Sequence, residues 1–225
     1  MKTYSQLLED IELVSGHPRT AKSDMRSAQH DFDVDAEFRK PLGKIHKDYS
    51  LHRLGKKLHI THDPSGKVVG HIDTHDTERG SPNKTLYISQ LNIDREHTKK
   101  KIGHSLAVAA YKHLHKTGHT IHSGTQQSVG GASVWRELMN DPSTSRHVHA
   151  IHSPIGGKDR SLGQASKLKT GDIWTSGSRE ARTAGRRQGI QMHKYGSPES
   201  ERAEDVQLVF HPKVPKGKVP KGKKK

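Results

Sequence analysis

The chain has 225 residues, with 39 Lys and Arg against 24 Asp and Glu and a net charge of +15. This predicts an anionic partner: nucleic acid, a phosphorylated ligand or an acidic surface. It has no cysteine, which excludes disulfides, thiolate metal sites and a cysteine nucleophile and fits a reducing cytoplasm. Only 29% of residues are hydrophobic and 4% aromatic, with a mean hydropathy of −0.92, so a small packed core and no membrane span are expected.

The first residues are acidic and lack an apolar stretch of the kind a signal peptide needs. Leu7, Leu8, Ile11 and Val14 recur at helical spacing, which predicts a short amphipathic helix over 4–14. Residues 15–50 read as polar and irregular, punctuated by Pro18 and Pro41. Two alternating runs, 56–62 and 67–75, flank Asp63-Pro64-Ser65-Gly66 and predict a pair of strands around a turn. A third strand is expected over 84–93, with Leu86 and Ile88 on one side and Tyr87, Ser89, Leu91 and Ile93 on the other.

Ile102, Leu106, Ala109, Ala110 and Leu114 then repeat at helical intervals, and Thr117-Gly118 reads as the helix end. "HTIHSG", residues 119–124, predicts a fourth strand. A second helix follows, with Val129, Ala132, Trp135, Leu138 and Met139 inward and Asp141-Pro142 as its stop. "RHVHAIHSP" fits a strand. Residues 154–205 read as loop with one short helix and anchors at Ile173, Trp174, Ile190 and Tyr195; 205–212 reads as a last strand. The final thirteen residues carry seven lysines and predict a disordered cationic tail; without them the rest of the chain is still +8. Few aromatics are interleaved with these lysines, which argues against a stacking platform for single strands and leaves non-specific contact with a nucleic-acid backbone.

The layout strand, strand, strand, helix, strand, helix predicts an α/β fold. Its informative stretch is "HTKKKIGHS", residues 97–105, which lies between the third strand and the first long helix. A helix start exposes unpaired N–H groups and attracts phosphate. Gly103 allows close approach to the backbone, and Lys99, Lys100 and Lys101 add Coulomb attraction at the rim. Neither a Walker loop nor a GxGxxG pattern is present.

On these residues the chain resembles the GNAT superfamily of acetyl-CoA-dependent N-acyltransferases, over residues 56–140 and the strand near 205–212. The family's loop pattern Arg/Gln-x-x-Gly-x-Gly/Ala falls on Thr98, Lys101 and Gly103, of which the last glycine alone is kept. A second family pattern, Asn-x-x-Ala-x-x-x-Tyr, falls on Ser128, Gly131 and Trp135, with spacing kept and residue types changed. The resemblance implies a mixed, mostly antiparallel sheet flanked by helices. It divides the chain into an N-terminal helix and polar segment (1–50), an acyltransferase-like domain (51–212) and the basic tail (213–225).

The resemblance also implies acetyl-CoA as co-substrate and an amine as acyl acceptor. Main-chain groups near Leu91 and Ile93 would align the pantetheine arm. Thr98, Lys99, Lys100, Lys101, Ile102, Gly103, His104, Ser105 and Ser128 would surround the coenzyme. Family bases on the central strand correspond to Tyr87 and Ser89, neither an obvious base at neutral pH. His71 and Asp73 on the neighbouring strand, His122, Ser123 or a water are the alternatives. Trp135 has no phenol and cannot replace the family's tyrosine acid. The low aromatic content and altered motifs are similar to those of GNAT-like proteins of tailed phages, which implies host cytoplasm or virion as the location and leaves open a basic structural or nucleic-acid-associated protein without turnover. Nineteen histidines include i,i+2 pairs such as His113/His115, but these diverge on a helix and no carboxylate-supported motif accompanies them, so no metal site is expected.

Overall fold

The computed structural model describes residues 18–76, 84–94, 96–97, 102–125, 127–154 and 158–211. The helix expected over 4–14, Thr98 to Lys101 and the lysine tail lie outside these residues.

Residues 15–50 are not irregular where described. Helix α1 spans Pro18–Val34, and strands β1 (Lys40–His46) and β2 (Tyr49–Leu54) form a hairpin that runs across the boundary expected at residue 51. Pro18 is the first helical residue, a position that needs no N–H. Pro41 is tolerated because β1 is a sheet edge. The helix escapes a reading of periodicity because its buried side is narrow: Met25, Ala28 and Phe32 meet Val68 in a small cluster. Polar ties complete the docking. Gln29 Oε1 accepts from Val68 N–H at 2.7 Å, and Lys57 Nζ pairs with Asp31 at 2.8 Å.

The next strands follow the alternation closely: β3 (Lys57–His62), β4 (Lys67–Asp76) and β5 (Lys84–Ile93). Helix α2 (Gly103–Lys116) leads to β6 (His119–His122), and helix α3 (Val129–Asn140) leads to β7 (Val148–His152) and β8 (Arg160–Gln164). Residues 154–205 are more ordered than their composition implies. Beyond β8 they hold the two-residue strands β9 (Thr175–Ser176) and β10 (His193–Lys194), with the one short helix, α4 (Arg179–Arg187), between them. Ile173, Trp174 and Ile190 are buried anchors, as their isolation in a polar stretch suggests, and Tyr195 is half-buried. Strand β11 (Val206–Phe210) ends the described chain.

The main sheet has the order β1-β2-β3-β4-β5-β6-β11-β7-β8, with β5 and β6 parallel and the other neighbours antiparallel. Among the described residues the fold is therefore mixed α/β, with a large, mostly antiparallel sheet and four α-helices. Among the described residues no helix is long and apolar enough to cross a membrane. The last strand is inserted between β6 and β7, which explains its near-continuous burial. Helix α2 packs on β6 and also on β1, five places away in the sheet, so the sheet curls around it. His113 Nε2 lies 2.9 Å from Leu42 O, and its ring presses on Gly43, whose φ of +132° suits glycine alone. Helix α3 docks on α2 through Trp135, edge-on to Tyr111 at 5.6 Å. Helix α1 covers the opposite face, over β4.

One side-chain assignment along β5 needs correction. Thr74 pairs with Ile88, but Asp73 pairs with Gln90, so Ser89 is an extra residue in β5. The bulge reverses the alternation. Leu91 and Ile93 sit opposite Ile72 and Gly70 and pack on the same core as Leu86 and Ile88, not on the far side with Tyr87.

Under α1 the sheet presents His59, fully buried, with neither ring nitrogen hydrogen-bonded among the described residues and Phe32 5.5 Å away. Burial, then the charges of His71 and Lys57, bring its pKa down to about 4. The unfolded chain therefore binds a proton that the folded one refuses between the ordinary value of about 6.5 and about 4. Stability is expected to fall across that window as pH drops, by up to about 3 kcal/mol from this group. Melting curves of the wild type and His59→Leu between pH 7 and 4 check this: the wild-type slope should flatten in the variant. Asp141, held down to about 2 by Lys112 and Ser143, adds a separate loss below about pH 4.

Candidate active site

Parallel strands β5 and β6 pair only from Lys84↔His119 to Tyr87↔His122. Beyond that point β5 runs on to Ile93, while the chain after β6 turns away. The cause lies in the hydrogen bonds on each arm. Ser123 N–H donates to Leu208 O and Ser123 Oγ accepts from Leu208 N–H, both at 2.8 Å, so the residue after β6 is drawn onto β11. Gln127 N–H donates to Thr175 O, and Thr175 Oγ1 donates to Thr125 O, both at 3.1 Å, tying the following loop to β9. The other arm stays with β4: Asp94 N–H donates to Val69 O at 2.8 Å. The result is a fork.

Main-chain direction along the free arm follows from that last bond. Successive residues of a strand turn their N–H and C=O to alternate edges. With Asp94 facing β4, Ile93 and Leu91 face the opening between the arms. Both side chains are half-buried against the core.

At the base of the fork the Tyr87 and His122 rings stack, with centroids 4.3 Å apart and planes at 28°. Burial pushes the Tyr87 phenol above its ordinary pKa, and Asp159 adds to this. Burial pulls the His122 imidazole below its ordinary value, against opposing effects of Gln207 and Asp159. At neutral pH the pair is thus a protonated phenol beside an unprotonated imidazole. His122 Nδ1 and Gln207 Oε1 are both buried and make no close, well-aligned hydrogen bond, yet the Gln207 side chain is near enough to act on the imidazole as a hydrogen-bond partner.

Ser89 is exposed on the bulge, and its Oγ donates to Asp73 O at 3.2 Å. Asp73 stands 3.7 Å from His71 Nε2 and lines a separate cavity of about 120 Å³ with Ser27, Ala28, Lys57, His71 and Gln90. Ile102 precedes α2 and spends its N–H on His97 O at 3.1 Å. Gly103 is the buried first residue of α2, whose start has no side-chain cap. His104 turns to α3, 2.6 Å from Glu137 and 3.1 Å from Ser133 Oγ; Ser105 is exposed. Ser128 caps α3 by accepting from Gly131 N–H at 3.1 Å. Trp135 is a core residue. Lys99, Lys100 and Lys101, with Thr98, lie outside the described residues. Among the described residues no group of three or more His, Asp or Glu is arranged to hold a metal.

The structure thus joins Tyr87 to His122, and Leu91 to Ile93 along the opening, but gives Asp73 to another cavity. Gln207 is not legible in the sequence as a site residue: it lies 85 positions after His122 and arrives only because β11 inserts beside β6. No protein-family model matches the chain, and no curated protein matches it.

Proposed function

We propose that the protein is an N-acyltransferase that moves the acetyl group of acetyl-CoA to an amine. The observation that supports this best is the fork, a parallel strand pair that parts at Tyr87 and His122 and leaves the main chain of Leu91 and Ile93 facing the gap. An extended amide-bearing arm can run along such an edge as a strand does, and the uncapped start of α2 suits phosphate. In the transfer, the amine lone pair forms the N–C bond and the C–S bond breaks with its electrons going to sulfur. His122 takes the proton from nitrogen, and the Tyr87 phenol, protonated at neutral pH, donates to the departing thiolate. A main-chain N–H on the free edge of β5 would stabilise negative charge on the carbonyl oxygen.

Calorimetry and thermal melting with coenzyme A test the reading. At a ligand concentration about 100 times Kd the gain is about 2.7 kcal/mol, or roughly 5–10 °C for a chain of this size. A melting temperature indifferent to millimolar coenzyme A overturns it. The net charge of +15 favours a second reading, a basic structural or nucleic-acid-associated protein that keeps the fold without turnover. Coenzyme A binding without thiol release against a broad set of amines would support that one.

A further inference from the structure

The basic character of the folded body is concentrated. Between residues 158 and 194 there are nine Lys and Arg against three Asp and Glu. Helix α4 carries four of these arginines. At 100° per residue, Arg179, Arg182 and Arg186 fall within one narrow arc, opposite the buried Ala181, Ala184 and Gly185. The arginine face thus points outward because the alanine and glycine face is packed against the protein.

Further contacts bring Lys194 to the same place. Lys194 on β10 pairs with Ser176 on β9, and Arg182 Nη1 donates to Ser176 O at 2.8 Å and to Gly177 O at 3.0 Å. Arg182 is therefore fixed in position. Met192 packs on Gly185 of α4, and Lys194, two residues on, shares its side of the chain, whereas Gln191 and His193 turn to Gly171 on the other side. Arg179, Arg186 and Lys194 are exposed, and none is in an ion pair among the described residues. The acid on α4, Glu180, accepts from Ser178 Oγ at 2.9 Å, and Glu199 acts on His193 on the far side.

We infer that this surface, formed by α4 and the β9–β10 pair, binds the phosphodiester backbone of duplex nucleic acid. Arginine forks match phosphate oxygens two at a time. The surface offers no stacking platform: Trp174 is buried and Tyr195 half-buried, so single strands gain nothing from it. The inference extends the charge-based reading from the lysine-rich end to the folded body, and it does not depend on acyl transfer.

The test is fluorescence anisotropy of the full chain with a labelled duplex DNA at several salt concentrations. The variants are Arg179→Gln/Arg186→Gln/Lys194→Gln together, and separately all seven lysines of 213–225 to Gln. Without these three cations to neutralise phosphates, the first variant should bind at least 10-fold more weakly, and its log affinity against log salt slope should be shallower by about 3. The tail variant should weaken binding yet keep the remaining salt dependence. Wild-type affinity in the first variant overturns the inference, as does equal competition by polyglutamate, which would make the partner an acidic polypeptide. Arg186→Glu alone, at one exposed position, repeats the test if the threefold variant does not fold; it too should weaken binding, and unchanged affinity overturns the inference. The melting shift with coenzyme A should survive all of these changes, so failure here and failure of the acyltransferase reading are separable.

Discussion

Replacing His122 with alanine should lower the rate of the proposed acyl transfer by about 10²–10⁴-fold, the range expected when a positioned base is lost. Coenzyme A binding should persist, because the main-chain edge at Leu91 and Ile93 is built by hydrogen bonds that do not involve His122. The pH profile gives the sign. His122 acts as a base only when neutral, and burial holds its pKa below the ordinary value. The wild-type rate should stay flat near neutrality and fall as pH drops through that lowered pKa; the variant should lose this limb. Tyr87→Phe keeps the stacked ring and removes the phenol, so a loss of rate there isolates proton donation from packing. Transfer at the wild-type rate in His122→Ala would falsify the assignment of the base and leave the fork as a binding feature.

Truncating Trp135 to alanine should cost about 3–5 kcal/mol of stability, the usual penalty for emptying a buried aromatic site. Its ring is 2% exposed and lies edge-on to Tyr111, whose own burial raises its phenol pKa strongly. The cavity cannot close easily. The backbone of α3 is tied at its start by Ser128, and Arg136 reaches Gln188 O at 2.6 Å, so the helix has little freedom to move inward. At roughly 2–4 °C per kcal/mol, the melting temperature should drop by about 6–20 °C. Thermal unfolding by circular dichroism measures this. A drop of only a degree or two would mean that α3 repacks on α2 without the indole.

Both predictions depend on features the sequence announces unequally. Trp135 is readable as core because Val129, Ala132, Leu138 and Met139 share its helical face. His122 is one alternative among several. What singles it out is the stacking on Tyr87 where two parallel strands part. Asp73 looks equally suitable from its place in the sequence. The bulge at Ser89 and the pairing of Asp73 with Gln90 place it by the cavity under α1.

Local pattern determined the strands β3, β4 and β5, the helices α2 and α3, and the last strand, since each has a period that its own side chains repeat. It also determined the cationic character and the absence of thiol chemistry. Helix α1 and the β1–β2 hairpin escaped it because their stability comes from contacts made far along the chain: Phe32 on the β3–β4 face, Gln29 on Val68, His113 on Leu42. Strand order decided the site. β11 enters between β6 and β7, draws Ser123 away from β5 and brings Gln207 beside His122. Period and composition are properties of neighbours in sequence, whereas the opening between two strands depends on which distant segment wins their hydrogen bonds.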